Sequence, residues 1–260
     1  MMQKFKRGVT ALCLIIVLSI LFCGVKFYKY EKSQQDRIAS LEGKVSLLLA
    51  ASNKSSIEWN SDYYNYLAIG NSITIHPINE HWWNECGMAA TTAENDYVHL
   101  VASSLDAKFY AYNFSTWELM GHDRGETLSL LDGLLSEKLD LVTLQLSENA
   151  TDLSTFESDF EELIRYVQKR APDARLLVIG DFWDKKQKDA MKQKACEKTK
   201  VEFISLDIIK GLKKYQCGMG TTVYDNNGNP HTVEHAGVAN HPGDAGMKWM
   251  ADRIVEVVKG

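Results

Sequence analysis

The sequence predicts a three-layer α/β/α fold with a flavodoxin-like parallel sheet of about five strands, preceded by an N-terminal transmembrane helix. Beyond about residue 59, five short apolar runs alternate with amphipathic stretches. Strands that alternate with helices form parallel sheets whose two faces are covered by those helices. Near the N-terminus, a long uncharged run predicts the membrane helix.

The first 29 residues are expected to form a cytoplasmic tip and a transmembrane anchor. The 18 residues from Gly8 to Val25 carry no charge, and Lys4, Lys6 and Arg7 precede them. Such a run is just long enough to cross a hydrocarbon core of about 30 Å, and the basic flank favours a cytoplasmic N-terminus. A cleaved signal peptide is the alternative, but no small-x-small site follows. We therefore expect a single-pass signal anchor with the rest of the chain outside the cell membrane.

Residues 30–58 are expected to form a helical stalk and a linker. Apolar residues recur at spacings of three, four and three, at Ile38, Leu41, Val45 and Leu48, which is about two heptads. This pattern fits a short coiled coil through which two chains self-associate. It equally fits a single helix that rests on its own domain or on the membrane surface.

The third region, residues 59–260, is expected to be the folded domain. Its expected strands are residues 66–70, 108–114, 139–146, 175–181 and 201–206, and its expected helices are residues 93–105, 126–137, 155–170, 185–199 and 242–258. Residues 155–170 have the clearest helical period. In parallel sheets of this kind, catalytic groups collect at the carboxyl ends of the strands.

Composition excludes several classes of partner. The net charge is −5, and lysine and arginine form no long run outside the N-terminal region, so nucleic acid is not expected to bind. The spacing of cysteine and histidine matches no zinc motif, and neither a metal nor a cofactor is expected. Cys86, Cys196 and Cys217 lie outside the apolar run, and a Cys86–Cys217 bridge is one hypothesis for them.

Three polar segments carry residues suited to nucleophilic catalysis. Ser72 follows a strand-like run at a Gly-Asn-Ser turn. Asn149 follows a buried-strand pattern, and its amide could donate to a developing oxyanion. His241 precedes an expected helix in which Pro242 suits the first position, so its imidazole is free to act as a general base.

Together these segments resemble the SGNH branch of the GDSL hydrolases. Gly70-Asn71-Ser72 matches the first block of that family, with Asn71 in place of the usual Asp. Asn113-Phe114-Ser115 resembles the second block, with Ser115 in place of Gly. Ser147-Glu148-Asn149 resembles the Gly-x-Asn block, and His241-Pro242 matches the last block. The resemblance spans about residues 66–258.

The resemblance implies a serine esterase that uses a Ser–His pair. His241 would remove the proton of Ser72, while the backbone N–H groups of Ser72 and Ser115 and the side chain of Asn149 would bind the oxyanion. Members of the family usually have an Asp three residues before this His, and Val238 occupies that position here.

In place of the missing Asp, the imidazole could be oriented by another carboxylate or by no carboxylate at all. Glu234 and Asp225 lie nearby in the sequence and are candidates. A backbone carbonyl that holds the ring is the alternative, which would give a Ser–His dyad.

The insertion that follows the nucleophile, residues 75–92, contains candidate substrate-pocket residues. His76 could line the site, and Trp82 or Trp83 could form a wall for a sugar ring. Large aromatic side chains more often fill gaps in a core. We therefore expect one of the two tryptophans to be structural and the other to line the pocket.

These inferences predict a membrane-anchored, extracytoplasmic esterase that removes small acyl groups, such as acetyl, from a carbohydrate or a cell-envelope glycan. The same residues would serve an O-acyltransferase that uses a sugar hydroxyl as the acceptor. A catalytically inactive glycan-binding module is a further alternative, which Val238 in the position of the acid favours.

Overall fold

The computed structural model describes residues 56–183 and 186–260, together with Lys26 and Lys29. The expected transmembrane anchor and nearly all of the expected stalk lie outside the described residues. Among the residues that are described, no helix is both long enough and apolar enough to span a membrane. The described fold belongs to a compact unit, residues 51–260.

A five-stranded sheet forms the middle layer of this unit. Its strands are β1 (Tyr64–Gly70), β2 (Ala107–Asn113), β3 (Leu141–Gln145), β4 (Arg175–Ile179) and β5 (Glu202–Ile204). All neighbouring strands are parallel, and their order is β2-β1-β3-β4-β5. This is the flavodoxin-like order, so the predicted sheet is confirmed.

Helices cover both faces of the sheet. The described residues form the α-helices α1 (Tyr97–Leu105), α2 (Ser115–Leu119), α3 (Phe156–Arg170), α4 (Lys186–Thr199), α5 (Ala236–Ala239) and α6 (Asp244–Lys259). Of these, the short α5 packs in a separate apolar cluster and not on the sheet. Successive side chains of a strand point to opposite faces. Accordingly, Tyr66 and Ala68 of β1 belong to the apolar cluster under α1 and α6, whereas Leu67 and Ile69 belong to the cluster under α3. This arrangement confirms the three layers.

Three predicted helices differ in detail from the structure. Residues 121–131 form a 3-10 helix instead of an α-helix over 126–137, and the backbone leaves helical geometry at Asp123. The helix expected over residues 93–105 is divided at Asp96, whose extended backbone and carboxylate cap α1. The last helix begins at Asp244, because Gly243 is its extended N-cap residue.

The insertion after β1 packs against a small hairpin near the end of the chain. This antiparallel hairpin consists of β6 (Thr222–Tyr224) and β7 (Pro230–Thr232). A separate apolar cluster joins them, with members Trp82, Cys86, Met88, Ala89, Val223, Val233, Val238 and Ala239. Cys86, Cys196 and Cys217 are all free thiols, so the hypothesised Cys86–Cys217 bridge is not formed.

Candidate active site

The register of the sheet brings the predicted segments to one edge. Gly70 at the end of β1 pairs with Asn113 on one side and with Gln145 on the other. The residues that follow these strands therefore emerge side by side. They include Ser72, Ser115 and Asn149.

Ser72 lies in a turn that Asn71 organises. The Asn71 side chain accepts a hydrogen bond from the N–H of Ile73 (3.0 Å), and its carbonyl accepts from the N–H of Thr74 (3.0 Å). The carbonyl of Ser72 accepts from the N–H of Met88 in the insertion (2.8 Å). Together these bonds fix the serine at the end of β1 and leave its half-buried hydroxyl free to meet a partner.

That partner is His241, which follows α5. Its Nε2 lies 2.8 Å from Ser72 Oγ, although the two residues are 169 positions apart in the sequence. On the other side of the ring, Nδ1 lies 2.7 Å from the carbonyl oxygen of Gly237. A carbonyl only accepts hydrogen bonds, so Nδ1 carries the proton and Nε2 presents its lone pair to the serine. The structure therefore places a serine hydroxyl against an imidazole nitrogen that can accept its proton.

Neither candidate acid reaches this imidazole. Asp225 instead closes the turn of the hairpin, where it accepts bonds from Asn227 and Asn229. Bonds from Asn229 lower the pKa of Asp225 to about 2. Glu234 is exposed and lies at the rim of a cavity described below. The backbone carbonyl of Gly237, which was the alternative to both, occupies the place of an orienting acid.

Burial lowers the pKa of His241 to about 4, with a smaller contribution from His76, and the bond to Gly237 opposes this shift only in part. The ordinary value for imidazole is about 6.5. The ring is therefore neutral at neutral pH and can accept a proton. A carboxylate at Nδ1 would have shifted the pKa upward.

Trp183, in the loop after β4, also contacts His241. Its ring meets that of His241 edge to face, with centroids 4.9 Å apart. Its indole Nε1 donates to the carbonyl of Asn240 (3.1 Å), which fixes the indole beside the imidazole. Sequence offered no signal for Trp183, because the contact joins loops 58 positions apart.

The three predicted oxyanion donors differ in availability. Within the part of the chain that the structure describes, the N–H of Ser72 donates no hydrogen bond. One hydrogen of the Asn149 amide is engaged by Glu118 Oε2 (2.6 Å), which leaves the second free. The N–H of Ser115, however, donates to Asn113 Oδ1 (3.0 Å). Ser72 and Asn149 are thus available to an oxyanion, and Ser115 is not in this conformation.

Glu118 of α2 is a buried carboxylate that ties three segments of the site together. Besides Asn149, it accepts from the side chain of Asn71 (3.0 Å) and from the N–H of Ser147 (2.5 Å), both at Oε1. Burial raises the pKa of Glu118, and the bonds from Asn71, Asn149 and Ser147 counteract that rise. The sequence did not reveal this role of Glu118, because its partners lie in other blocks of the chain.

The predicted pocket residues of the insertion have different environments. His76 is close enough for its charge to act on His241. Trp82 is fully buried in the cluster between insertion and hairpin, so it cannot line an accessible pocket. Trp83 is half-buried and stacks on His231, with centroids 4.5 Å apart. It lines an open cavity of about 300 Å³ together with Glu80, His81, Thr232, Glu234 and His235.

Comparison with known proteins identifies the fold. No protein-family profile and no curated protein sequence matches the chain. Among solved structures, a protein described as a GDSL-like lipase from Bacteroides ovatus superposes with a TM-score of 0.50 at 12% identity, over 75% of this chain and 98% of that one. The chain has the fold of the GDSL/SGNH hydrolases. The resemblance seen in the sequence is thereby confirmed at the level of the fold.

Two further solved structures are similar to the chain with slightly lower TM-scores. One is an active-site mutant of a family two carbohydrate esterase from Clostridium thermocellum (TM-score 0.48, 17% identity, 75% of this chain). The present chain spans 63% of the length of that esterase. Another is a salicylyl-acyltransferase from a tetracycline biosynthetic pathway (TM-score 0.48, 13% identity, 76% of this chain and 55% of that one).

Proposed function

We propose that the protein is a serine esterase that hydrolyses small acyl esters, such as acetyl esters, on a carbohydrate or cell-envelope glycan. The observation that carries the proposal is the 2.8 Å contact between Ser72 Oγ and the unprotonated Nε2 of His241. The free N–H of Ser72 and the free amide hydrogen of Asn149 lie at the same edge of the sheet. This combination provides a nucleophile, a base and oxyanion donors.

The proposed reaction has two steps. Ser72 Oγ attacks the ester carbonyl and passes its proton to His241 Nε2, while the Ser72 N–H and the Asn149 amide bind the negative oxygen. The tetrahedral intermediate collapses, and His241 returns the proton to the departing sugar oxygen. Water then attacks the acyl-serine with His241 again as base, which releases the acid and restores Ser72.

We propose that Trp83 and its cavity, whose lining includes none of Ser72, Asn149 and His241, bind a sugar of the substrate away from the ester. The cavity presents partly exposed aromatic rings together with the carboxylates of Glu80 and Glu234 and the hydroxyl of Thr232. Aromatic faces can pack against the C–H faces of a sugar ring, while carboxylates accept bonds from its hydroxyl groups.

Acyl transfer to a sugar hydroxyl is the second candidate function. The second step needs only an O–H group that His241 can deprotonate, and a sugar alcohol meets this need as well as water does. Product analysis separates the two: an acetylated oligosaccharide is incubated with and without a sugar acceptor. Free acetate alone indicates hydrolysis, and a newly acetylated acceptor indicates transfer.

A fluorophosphonate probe tests the proposal most directly, because it phosphonylates only activated serines. We expect the wild type to be labelled at Ser72, and Ser72→Ala to be folded and unlabelled. Absence of label on folded wild-type protein would contradict the enzyme proposal and favour a glycan-binding module. Mass spectrometry of the labelled peptide identifies the site.

We also propose that residues 1–29 anchor this domain to the cell membrane with residues 59–260 outside, which would place the site beside envelope glycans. The support is the uncharged run of residues 8–25 and its basic flank. Cell fractionation should find the full chain in membranes, and protease added to cells with exposed membranes should digest the domain. Protection of the domain in intact cells would contradict the orientation.

A further inference from the structure

Ser147, the second residue after β3, has a backbone conformation that L-residues rarely adopt. Its φ is +121°, and its side chain is fully buried. Non-glycine residues in such regions are strained and persist only when neighbouring groups hold them. Ser147 precedes the proposed oxyanion donor Asn149 by two residues. Its backbone angles therefore set the direction in which the Asn149 segment leaves the sheet.

Three charged side chains hold the polar atoms of Ser147. Its N–H donates to Glu118 Oε1 (2.5 Å), and its carbonyl accepts from Lys188 Nζ (2.6 Å). Its hydroxyl donates to the carboxylate of Asp181. These partners come from α2, α4 and the loop after β4, so three separate elements fix one residue.

Asp181 is itself held by a buried ammonium group. Lys192 Nζ of α4 lies 2.5 Å from Asp181 Oδ1, and both side chains are fully buried. The same ammonium donates to the carbonyls of Leu146 (3.2 Å) and Ile179 (3.0 Å). Lys192 thus fastens the ends of β3 and β4, and it holds Asp181 where the hydroxyl of Ser147 can reach it.

From these contacts we infer that Ser147 and Asp181 form a positioning pair. The bond from the Ser147 hydroxyl to Asp181 holds the positive φ, and that conformation directs the Asn149 amide toward the oxyanion. The inference rests on the proposed esterase function for its effect on turnover. The structural part, a hydroxyl that retains a strained backbone, stands on the geometry alone.

Two substitutions at the same position separate this role from simple packing. Ser147→Ala removes the hydroxyl and keeps the strain, whereas Ser147→Gly removes the hydroxyl and also the strain, because glycine adopts positive φ freely. With p-nitrophenyl acetate as substrate, we expect Ser147→Ala to lower kcat by about 10- to 100-fold, since small misplacements of catalytic groups have effects of this size. The kcat of Ser147→Gly should stay within about threefold of the wild-type value, because Asn149 then keeps its position. KM should change little in both, because the donor acts on the oxyanion.

The role of Asp181 is tested by Asp181→Asn in two backgrounds. Loss of the carboxylate charge weakens the bond that holds Ser147, so kcat should fall several-fold in the wild-type background. In the Ser147→Gly background the same change should have a smaller effect on kcat, because glycine needs no such bond. Equal effects in the two backgrounds would overturn the coupling between Ser147 and Asp181.

Thermal unfolding gives a readout that does not depend on activity. Ser147→Ala should have a Tm about 3 °C below that of Ser147→Gly. The control is Ser154, which is exposed and has no positive φ; there, Ser154→Gly should be no more stable than Ser154→Ala. If the two Ser147 variants have equal Tm, or equal kcat, the positioning pair is overturned. A wild type that neither hydrolyses the ester nor reacts with the fluorophosphonate would overturn the proposed function instead, and the Tm comparison of Ser147→Ala with Ser147→Gly would still decide whether the backbone at Ser147 is strained.

Discussion

The groups that hold His241 and the groups that hold Asn149 differ in charge. On one side, His241 is held by neutral groups, namely the carbonyl of Gly237 and the indole of Trp183. On the other side, Asn149 and the strained Ser147 are held by buried charges, with Glu118 in direct contact with both.

This difference corresponds to what each side does in the proposed reaction. The base gains and loses a proton in every cycle, so a fixed carboxylate beside it would alter its proton affinity. The oxyanion donors keep their charge state throughout, and rigid ionic partners can orient them before the substrate arrives. Buried charges stabilise a structure only when their partners are complete. Loss of a buried charge should therefore affect catalysis mainly through the oxyanion donors. Loss of burial should affect it mainly through the pKa of His241.

Removal of the base should have the largest effect. We expect His241→Ala to lower kcat/KM by about 10⁴-fold or more, because Ser72 then has no proton acceptor. Assays with an acetyl ester, together with fluorophosphonate labelling, measure the loss. His122→Ala, at an exposed histidine, is the control. Retention of wild-type activity in His241→Ala would exclude the Ser–His mechanism.

Removal of the side-chain oxyanion donor should rank second. Asn149→Ala should lower kcat by about 10²- to 10³-fold, which is the usual cost of one such donor. Asn149 is exposed, so circular dichroism and Tm should stay close to the wild type. Thr151→Ala, two residues further along and also exposed, should be near wild type in kcat. A change confined to KM would show that Asn149 binds the ground state instead.

The charge at Glu118 should rank third and tests the oxyanion side directly. In Glu118→Gln the side chain keeps one acceptor oxygen, whereas both carboxylate oxygens of Glu118 accept hydrogen bonds in the structure. The donors of Asn71, Ser147 and Asn149 can then no longer all be satisfied. We expect a loss of about 1–3 kcal/mol in the free energy of unfolding and a kcat lowered by about 10-fold or more through the displaced Asn149. Urea unfolding and steady-state kinetics measure the two effects.

The matched control for that variant is Glu137→Gln, at an exposed glutamate. It should leave both the unfolding free energy and kcat unchanged. If Glu118→Gln also behaved like the wild type, buried charge would not be what orients the oxyanion donors.

The low pKa of His241 should have the smallest but most specific effect: kcat/KM should decrease on the acid side only at unusually low pH. The proposed mechanism needs neutral His241, so kcat/KM should fall only as the pH drops through about 4, the lowered pKa of the ring. An ordinary imidazole would place this decrease near pH 6.5. Because the charge of His76 lowers the pKa of His241, His76→Ala should move the decrease to slightly higher pH. A decrease at pH 6.5 in the wild type would contradict a desolvated base.

Much of the fold followed from periodicity in the sequence. β1 carries apolar residues on both faces, and α3 has a clear apolar stripe, so both signals come from neighbours in the chain. Residues 121–131 were not predictable in the same way, because glycines at 121 and 125 weaken the preference for α-helix without specifying a 3-10 helix. Trp82 and Trp83 are adjacent, and only the tertiary packing of the hairpin determines which of them is buried.

The candidate site was predictable only where short motifs mark it. Ser72, Asn149 and His241 stand in segments of recognisable composition, and the structure brings them to one edge of the sheet. Glu118, Asp181 and Lys192 have no such signal, since acidic residues and lysines are usually solvated and their burial depends on partners in distant segments. The carbonyl of Gly237 is a backbone group, which no side-chain pattern can reveal.

The bond between Ser72 and His241 joins positions 169 apart, and this separation has a consequence for biosynthesis. A chain emerging from the ribosome presents its nucleophile early, while its base is still to be translated. Every strand of the sheet is complete before residue 241 appears. Under the proposed mechanism, a nascent or truncated chain that ends before His241 has no esterase activity. Activity arises only after the whole domain has been translated and has folded.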